Sequence, residues 1–194
     1  MSKRIFIAFG HNNYKSGSSF NAAIRDTFIE EAEKQGHTID LVNIYEEKQL
    51  DFWGSGKPSE QVLDYRKRLE SADVMLMMSP CHNYIMNSAT ENFIANVFTP
   101  PWSFSYKKII GNWGYPIPNA LKDKTAIVSM TYGGPSFFVS AILQQIPRRI
   151  KKMVFSGLCG MKVKYLRFYE VLPNMPKEIF EKHMEKVRNS ARRL

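Results

Sequence analysis

The stretch that most constrains the fold is residues 5–21, in which a strand, a loop and the start of a helix follow one another. Residues 5–9 are a short continuous apolar run that stops at Gly10, the pattern of a strand covered on both faces. A segment rich in Gly, Asn and Ser comes next. Apolar residues then recur at four-residue steps, at Ile24, Phe28 and Ala32. The stretch therefore predicts a βα unit of a parallel sheet.

The predicted loop leads into a helix N-terminus, where backbone N–H groups and the helix dipole favour an anion. Hydroxyl groups add neutral donors at Ser16, Ser18 and Ser19, and Ser18 or Ser19 is the expected N-cap. Two interpretations stay open here: a phosphate-binding loop, or an ordinary βα connection with a serine cap. The segment is neither a P-loop nor a dinucleotide fingerprint, because it lacks both glycine patterns.

Composition indicates an ordinary globular protein. At 194 residues we expect one domain, residues 1–194, with 44% hydrophobic and 23% charged residues, which excludes disorder. Two distant cysteines, Cys81 and Cys159, and four histidines without ligand spacing favour no disulfide framework and no metal site. Since the chain shows no membrane-length apolar run and no signal peptide, we expect a cytoplasmic protein that is not integral to a membrane.

The net charge of +9 is unevenly distributed. Residues 1–106 carry 10 Lys and Arg against 13 Asp and Glu, whereas residues 107–194 carry 17 against 5. A basic half is compatible with nucleic acid, an acidic membrane or a phosphorylated ligand. We favour a solvated basic face and no nucleic-acid binding, because no nucleic-acid motif accompanies the charge. The one dense cluster contains Arg148, Arg149, Lys151 and Lys152.

Further strands and helices alternate along the chain. Strand-like segments occupy residues 38–44, 74–78, 125–130 and 162–171. Helices are predicted from the cap at Ser59, from Asn87 or Ser88, up to about Val154 with a break at Pro147, and along a final stripe formed by Ile179, Phe180, Met184, Val187 and Ala191. Five βα units predict an α/β, three-layer, flavodoxin-like fold. Its five-stranded parallel sheet has the order 2-1-3-4-5, with helices on both faces.

Residues 99–121 interrupt this alternation with four prolines, two tryptophans, two tyrosines and two glycines. We expect a long loop without regular structure, and such loops are usually functional. Its aromatic residues are Trp102, Phe104, Tyr106, Trp113 and Tyr115. They cover a ligand, line a subunit interface or pack onto the domain, and the first two roles are favoured.

In such sheets ligands bind outside the carboxyl ends of the strands, at the switch point between strands 1 and 3. Three loops are predicted to meet there, residues 11–21, 80–84 and 131–134. The first suits a phosphate, the second offers an aromatic side chain and backbone amides, and the third offers N–H groups exposed by glycine. Together they favour a phosphorylated planar cofactor such as a flavin.

The sequence resembles the flavodoxin-like NAD(P)H dehydrogenases (quinone), which include the drug-activity-modulator-type reductases and the ancillary subunits of potassium efflux systems. The matching segments run in the family's order from about residue 5 to about residue 160: Gly10-His11, Ser19-Phe20-Asn21-Ala22-Ala23, Gly36-His37, Ala72-Asp73, Ser79-Pro80, Phe98-Thr99-Pro100, Phe104-Ser105-Tyr106, Leu121-Lys122-Asp123-Lys124 and Thr131-Tyr132-Gly133-Gly134. The ordered set carries the resemblance.

The resemblance implies a two-electron reductase with FMN, or alternatively FAD, as cofactor and NADPH or NADH as electron donor. It implies a quinone-like acceptor and a homodimer with sites near the subunit interface. The flavin phosphate would be held by His11, Ser18, Ser19, Phe20 and Asn21, with Ser16 adding a hydroxyl from the same loop. The isoalloxazine would be flanked by Pro80, Cys81, His82, Asn83 and Tyr84, and its polar edge would meet Thr131, Tyr132, Gly133 and Gly134.

The chain departs from the family after Pro80, where an aromatic-rich run is replaced by Cys81-His82-Asn83-Tyr84-Ile85-Met86. His82 and Tyr84 are the candidate catalytic residues, and an imidazole that titrates near neutrality suits proton donation to a reduced quinone. A loop histidine bonded to backbone or water is the alternative for His82, and it is favoured. The family's tyrosine–histidine pair has no clear counterpart where Phe137 and Phe138 stand.

Two functions are compatible with these observations. The first is a flavin-dependent NAD(P)H oxidoreductase of quinones or similar acceptors. The alternative is a flavodoxin-like regulatory or interaction subunit, for example of a transport system, with little or no turnover. In that case residues 99–120 and the basic second half would serve the contact.

Overall fold

The computed structural model describes residues 1–51, 57–82, 85–111, 113–141 and 150–194. The strands are β1 (Arg4–Phe9), β2 (Thr38–Asn43), β3 (Val74–His82), β4 (Ile85–Met86), β5 (Phe104–Ile110), β6 (Trp113–Pro118), β7 (Thr125–Thr131) and β8 (Lys162–Phe168). The helices are α1 (Phe20–Lys34), α2 (Glu60–Ser71), α3 (Ser88–Val97), α4 (Ser136–Ala141) and α5 (Lys177–Arg192), with a π-helical segment (Ile150–Leu158) before β8.

Five of these strands form a parallel sheet in the order β2-β1-β3-β7-β8, and the short β4 pairs with β3 alone. The order confirms the predicted 2-1-3-4-5 arrangement, with β7 and β8 as the fourth and fifth strands. At the carboxyl end, Phe9 of β1 is aligned with Asn43 and Met78, and Pro80 of β3 is aligned with Thr131. The loops that follow β1, β3 and β7 therefore leave the same edge.

Alternate residues of each strand serve two separate cores. Ile5, Ile7 and Phe9 pack on the face covered by α1 and α5, whereas Phe6 and Ala8 pack on the face covered by α2, α3 and the π-helical segment. All five side chains are at most 1% exposed, so β1 is apolar on both sides. Helix, sheet and helix therefore stack in three layers, as predicted.

Side-chain caps start three helices where the sequence placed them. The side chains of Ser19, Ser59 and Asn87 each accept a hydrogen bond from the backbone N–H three residues later. Ser19 rather than Ser18 caps α1, and Asn87 rather than Ser88 caps α3. The last helix buries Met184, Val187 and Ala191 of its predicted stripe.

Two predicted boundaries differ at β3 and β8. The strand β3 was expected to end at Met78, but it extends to His82 because Cys81 and His82 pair with β4 in an antiparallel ladder. The predicted loop over residues 79–84 is thus largely strand. Conversely, β8 ends at Phe168 and not at residue 171.

The prediction of an irregular loop over residues 99–121 was wrong, since this segment contains the antiparallel hairpin β5–β6. Prolines and glycines masked the two-residue alternation of its strands. Its aromatic residues divide into two groups. Phe104 is buried and Trp102 packs against the core, whereas Tyr106, Trp113 and Tyr115 are 63%, 67% and 52% exposed.

The predicted helix up to Val154 comprises α4 and the π-helical segment, which continues to Leu158. Pro147, Arg148 and Arg149 lie outside the described residues. Within the part of the chain that the structure describes, no helix is both long and apolar enough to cross a bilayer.

Candidate functional site at the carboxyl edge of the sheet

The first βα loop, residues 10–19, begins in a tightly packed position. The N–H of Gly10 donates to the Met78 carbonyl (2.8 Å), which continues the β1–β3 pairing beyond β1. A Cβ at Gly10 would lie 1.9 Å from Oγ1 of Thr90 on α3. Glycine is therefore required where the chain leaves the sheet, because a side chain has no room between β3 and α3.

Asn87, the cap of α3, ties this helix to the start of the first βα loop. Its Oδ1 accepts from the N–H and from Oγ1 of Thr90, each at 3.0 Å, while its Nδ2 donates to the Gly10 carbonyl. Asn87 and Thr90 are both buried. The exit of β1 is thus fixed by a satisfied polar network inside the protein.

The end of the first βα loop is shaped by two serine hydroxyls. Oγ of Ser18 and Oγ of Ser19 both donate to the Asn13 carbonyl, at 3.0 and 2.9 Å. Ser19 Oγ also accepts from the N–H of Ala22 (3.1 Å). The N–H groups of Phe20 and Asn21 precede the first intrahelical bond, so the positive end of α1 faces the space above the sheet.

Asn21 links α1 to the end of β7. The Thr131 hydroxyl oxygen lies 3.2 Å from Nδ2 of Asn21 and 3.2 Å from its Oδ1. Asn21 is only 7% exposed and Thr131 only 4%. The structure thus joins two predicted site residues that are 110 positions apart in the chain.

His11 of the first βα loop and His82 at the end of β3 lie close enough for their charges to interact. The His11 Nδ1 accepts from the N–H of Asn13 (3.0 Å), which leaves its proton on Nε2 in the neutral ring. Burial lowers the pKa of His11, and a positive charge on His82 lowers it further. His82 itself is exposed at the end of β3, next to partly exposed Cys81 and buried Pro80.

Tyr132 points away from this space and into the core. Its ring stacks on Tyr169 (centroids 5.5 Å apart, 20° between planes), and its hydroxyl lies 2.7 Å from that of Tyr165. Burial raises the pKa of Tyr132. The backbone of the turn stays at the edge, where Gly133 is exposed and the Gly134 carbonyl accepts from the N–H of Glu170 (3.2 Å).

Ser16 and Phe20 also have partners within the protein. Ser16 Oγ donates to Asp26 Oδ2 (2.8 Å). The Phe20 ring meets Phe168, Phe180 and His183 edge-on, at centroid distances of 6.0, 5.8 and 5.6 Å. Of the remaining predicted site residues, Asn83 and Tyr84 lie outside the described residues.

Arg25 is a residue of this region that the sequence did not indicate. It is 5% exposed, donates to the Tyr14 carbonyl and pairs with Asp26 (2.6 Å). Its guanidinium lies 4.7 Å from the centroid of the Phe9 ring. Arg25 therefore holds the first βα loop in place and neutralises the charge of the Asp26 carboxylate. No local pattern separates this arginine from the other cations of the chain.

The carboxyl edge is therefore built from a helix N-terminus, hydroxyl groups, two histidines and a glycine turn. This donor set suits an anionic group better than a metal ion. Among the described residues, no group of three or more His, Cys, Asp or Glu side chains is arranged to hold a metal.

The chain belongs to the flavodoxin-like fold family, whose model matches residues 3–191. This confirms the family resemblance predicted from the sequence. A comparison with curated proteins gives no match.

Solved structures share this fold over nearly the whole chain. A Streptococcus mutans protein is 23% identical and aligns over 98% of this chain and 100% of its own, with a TM-score of 0.82. The NAD(P)H:quinone oxidoreductase of Methanothermobacter marburgensis is 16% identical, covering 99% and 96%, with a TM-score of 0.79. An FMN-dependent NADH-azoreductase of Bacillus anthracis, in complex with FMN, is 16% identical, covering 100% and 99%, with a TM-score of 0.75.

Proposed function

We propose that this protein is a flavin-dependent NAD(P)H oxidoreductase that passes two electrons to a quinone-like acceptor. The observation that carries the proposal is the first βα loop, which presents the positive end of α1 where Asn21 contacts Thr131, just before the turn at Gly133 and Gly134. Support comes from structural neighbours described as a quinone oxidoreductase and an FMN-dependent azoreductase. FMN is the proposed cofactor, with FAD as the alternative and NADPH or NADH as donor.

The residues of the first βα loop fit a phosphate group. The N–H groups of Phe20 and Asn21 supply uncharged donors at a helix N-terminus. The hydroxyls of Ser16, Ser18 and Ser19 lie beside them, but each already donates within the protein and becomes a phosphate donor only by rotating. The nearby Asp26 carboxylate is paired with Arg25, which reduces its repulsion of an anion. We assign His11 to the same group, as an Nε2–H donor.

Bound FMN supplies the two-electron hydride chemistry of such an enzyme. The protein's own part is orientation and electrostatics. Pro80, Cys81 and His82, with Asn83 and Tyr84, are assigned to one side of the ring. In the turn Thr131-Tyr132-Gly133-Gly134, the N–H groups of Gly133 and Gly134 are assigned to its polar edge, where they stabilise developing negative charge, whereas the Tyr132 N–H is already bonded to the Phe168 carbonyl. His82 is exposed, and we assign it to proton donation to the acceptor oxygen.

We further propose a single domain that acts as a cytoplasmic homodimer. The hairpin β5–β6 supports association with a second copy, because it places Trp113 and Tyr115 on one face and Tyr106 on the other in solvent. Sedimentation equilibrium of wild type and of a Tyr106→Ala/Trp113→Ala variant tests this. A monomeric wild type contradicts it.

The reductase proposal is tested by absorption spectroscopy of the purified protein. After incubation with FMN or FAD and desalting, we expect retained oxidised-flavin bands that bleach on anaerobic addition of NADPH or NADH and return with a quinone. Retained flavin that is inert to both nicotinamide donors contradicts the oxidoreductase. Absence of retained flavin contradicts the cofactor assignment.

A charge-reversing pair of variants tests the phosphate position. Aspartate is as good an N-cap as serine, so Ser19→Asp preserves α1 while placing a negative charge where the phosphate is expected. We expect FMN binding to weaken by about tenfold or more and riboflavin binding to change little. Ser59→Asp, at the equivalent cap of α2, is the matched control. Equal loss of FMN and riboflavin in the Ser19 variant contradicts the assignment.

A regulatory or interaction subunit is the second candidate, and the hairpin is the observation that favours it. Ile110 and Trp113 at its tip are 75% and 67% exposed, a large apolar surface for a partner protein. This function predicts specific capture of a transport protein from membrane extract, lost in Trp113→Ala while any flavin binding persists. Capture unaffected by Trp113→Ala contradicts it.

A further inference from the structure

A groove of about 1060 Å³ runs between the edge strand β8 and helix α5. Its walls are formed by residues 164–167, 169 and 170, by one face of α5, and by Ser136 and Arg193. The carboxyl-edge loops meet only its upper end, where the N–H of Glu170 donates to the Gly134 carbonyl. The groove is therefore distinct from the space above the first βα loop.

The outer edge of β8 is already occupied by side chains of α5. The Phe168 carbonyl points toward β7, where it accepts from the N–H of Tyr132 (2.8 Å), so the carbonyls of Arg167 and Tyr169 point outward. Lys186 Nζ lies 2.6 Å from the Arg167 carbonyl, and His183 Nε2 lies 3.0 Å from the Tyr169 carbonyl. Pairing with an added strand is thus blocked here, and a ligand must be recognised by side chains.

Positive charge dominates the groove. The cations that line it are Lys164, Arg167, Lys182, Lys186 and Arg193, against two carboxylates, Glu170 and Glu185. Glu185 is already bonded to Arg188 (3.0 Å) and Arg192 (3.3 Å). None of the five lining cations forms an ion pair within the described residues.

These cations are crowded. Lys182 and Lys186 are four residues apart on one helix face, a like-charge spacing that destabilises a helix. The Lys186 ammonium also lies 5.4 Å from the Phe168 ring centroid. Desolvation lowers the pKa of Lys186, and the charges of Arg167 and Lys182 lower it further. Lysines on a merely solvated face would point apart into water. Here they converge on a concavity, and an anion would relieve their repulsion.

The upper end of the groove has a different character. Ile179 supplies apolar surface there, and Glu170 supplies an acceptor. The Tyr169 ring is turned to the opposite face of the sheet, where it stacks on Tyr132, while its carbonyl meets His183 of α5. A planar base suits this end, because its faces are apolar and its exocyclic amine is a donor. The cations lower down suit phosphates, and the groove has the size of small-molecule sites rather than the flat extent of a nucleic-acid surface.

We propose that the groove between β8 and α5 binds a phosphorylated nucleotide, with its phosphates beside Lys182 and Lys186 and its base toward Ile179 and Glu170. This is a second anion site, separate from the first βα loop. It does not rest on the oxidoreductase proposal, because none of its residues is assigned to the flavin.

The test is calorimetric titration of the full chain with ATP, 2′,5′-ADP and tripolyphosphate. We expect at least one nucleotide to bind, and tripolyphosphate to bind more weakly because it lacks a base. Lys182→Gln/Lys186→Gln should weaken nucleotide binding about tenfold or more. Lys107→Gln/Lys108→Gln on the hairpin changes net charge equally and should bind like wild type. Lys182→Glu alone is the second variant, should the double variant fold poorly.

Two further comparisons in the same titration distinguish which site binds the nucleotide and which kind of nucleotide is bound. The Ser19→Asp variant, in which the first βα loop repels anions, should bind the nucleotide as wild type does. Preference for 2′,5′-ADP identifies the phosphate-bearing end of NADPH, and preference for ATP identifies a separate effector. Failure of both nucleotides to bind overturns the proposal, as does equal binding by the Lys182/Lys186 and Lys107/Lys108 variants. Displacement of bound nucleotide by an RNA oligomer at lower concentration overturns it in favour of nucleic acid.

Discussion

The two ends of the segment from Gly10 to Asn21 differ from its middle. Gly10 and Asn21 are buried and bonded to distant parts of the chain, Gly10 to β3 and α3 and Asn21 to β7. Residues 12, 13 and 15–18 are exposed, and Ser18 is held by hydrogen bonds to nearby carbonyls. The anchors thus determine where the loop stands, and the middle presents donors to the outside. An anion site needs both, because donors bind tightly only when their positions are fixed in advance.

The largest effect is expected at the first anchor. Gly10→Ala places a methyl group against Thr90 Oγ1 at a nominal 1.9 Å, so the backbone or α3 must shift. We expect the free energy of unfolding, measured by urea denaturation, to fall by about 3 kcal/mol. Gly17→Ala, in open space at a φ of 70°, is the control and should cost about 1 kcal/mol. Adding Thr90→Ala to Gly10→Ala should restore part of the loss, and an unchanged loss would contradict the steric explanation.

The second anchor, the contact between Asn21 and Thr131, should contribute less to the free energy of unfolding than Gly10 does. Thr131→Val keeps the shape of the side chain but removes its hydroxyl, leaving the buried Asn21 amide without that partner. We expect a loss of about 2 kcal/mol in unfolding free energy. Thr38→Val on the exposed part of β2 is the matched control and should change stability by less than about 0.5 kcal/mol. Equal effects of the two substitutions would show that the Asn21–Thr131 contact does not anchor α1.

Ser19, the N-cap of α1, lies between the buried anchor Asn21 and the exposed middle of the loop. Its effect on the free energy of unfolding should therefore be intermediate. Ser19→Ala removes the acceptor for the N–H of Ala22 and the bond to the Asn13 carbonyl. We expect a loss of about 1 kcal/mol, and Ser19→Asp should retain most of the stability. Ser59→Ala, which loses only the cap bond to Val62, should cost the same or slightly less. A larger cost at Ser59 would show that the loop bond at Ser19 adds nothing.

The contrast between local features and long-range contacts explains which parts of the fold could be predicted from the sequence. The strands, their order and the helix caps follow from local patterns, such as the apolar run ending at Gly10 and the serine at position 19. The position of the site at the carboxyl edge follows from the topology alone. The hairpin β5–β6 was missed because Pro116, Pro118 and the glycines obscure its alternation.

Contacts between distant residues could not be predicted. The sequence around Asn21 does not predict its contact with Thr131. The sequence around Tyr132 does not predict that its ring turns inward to Tyr165 and Tyr169. The sequence predicts a solvated basic face in the second half of the chain, because lysine spacing along α5 says nothing of the strand beside it. One-dimensional patterns specify elements and caps, whereas side-chain direction and charge compensation depend on which elements meet.

The smallest expected effect concerns His11, at the boundary between the buried start and the exposed middle of the loop. Burial lowers its pKa in the folded protein, so between the ordinary value near 6.5 and the folded value the unfolded chain binds more protons. Stability should therefore be constant above about pH 7 and fall on acidification through this range, by less than about 1 kcal/mol because the ring is partly exposed. NMR titration of the ring protons measures the pKa directly.

His82→Asn sharpens this last prediction, because it removes the positive charge that opposes protonation of His11. The pKa of His11 should then move upward, toward its ordinary value. His37→Asn removes a histidine whose Nδ1 bonds Lys3 at the opposite edge of the sheet, and it should leave the His11 titration unchanged. If both variants shift the pKa of His11 equally, the loops after β1 and β3 do not face each other in solution. The space assigned to the flavin would then lack one of its walls.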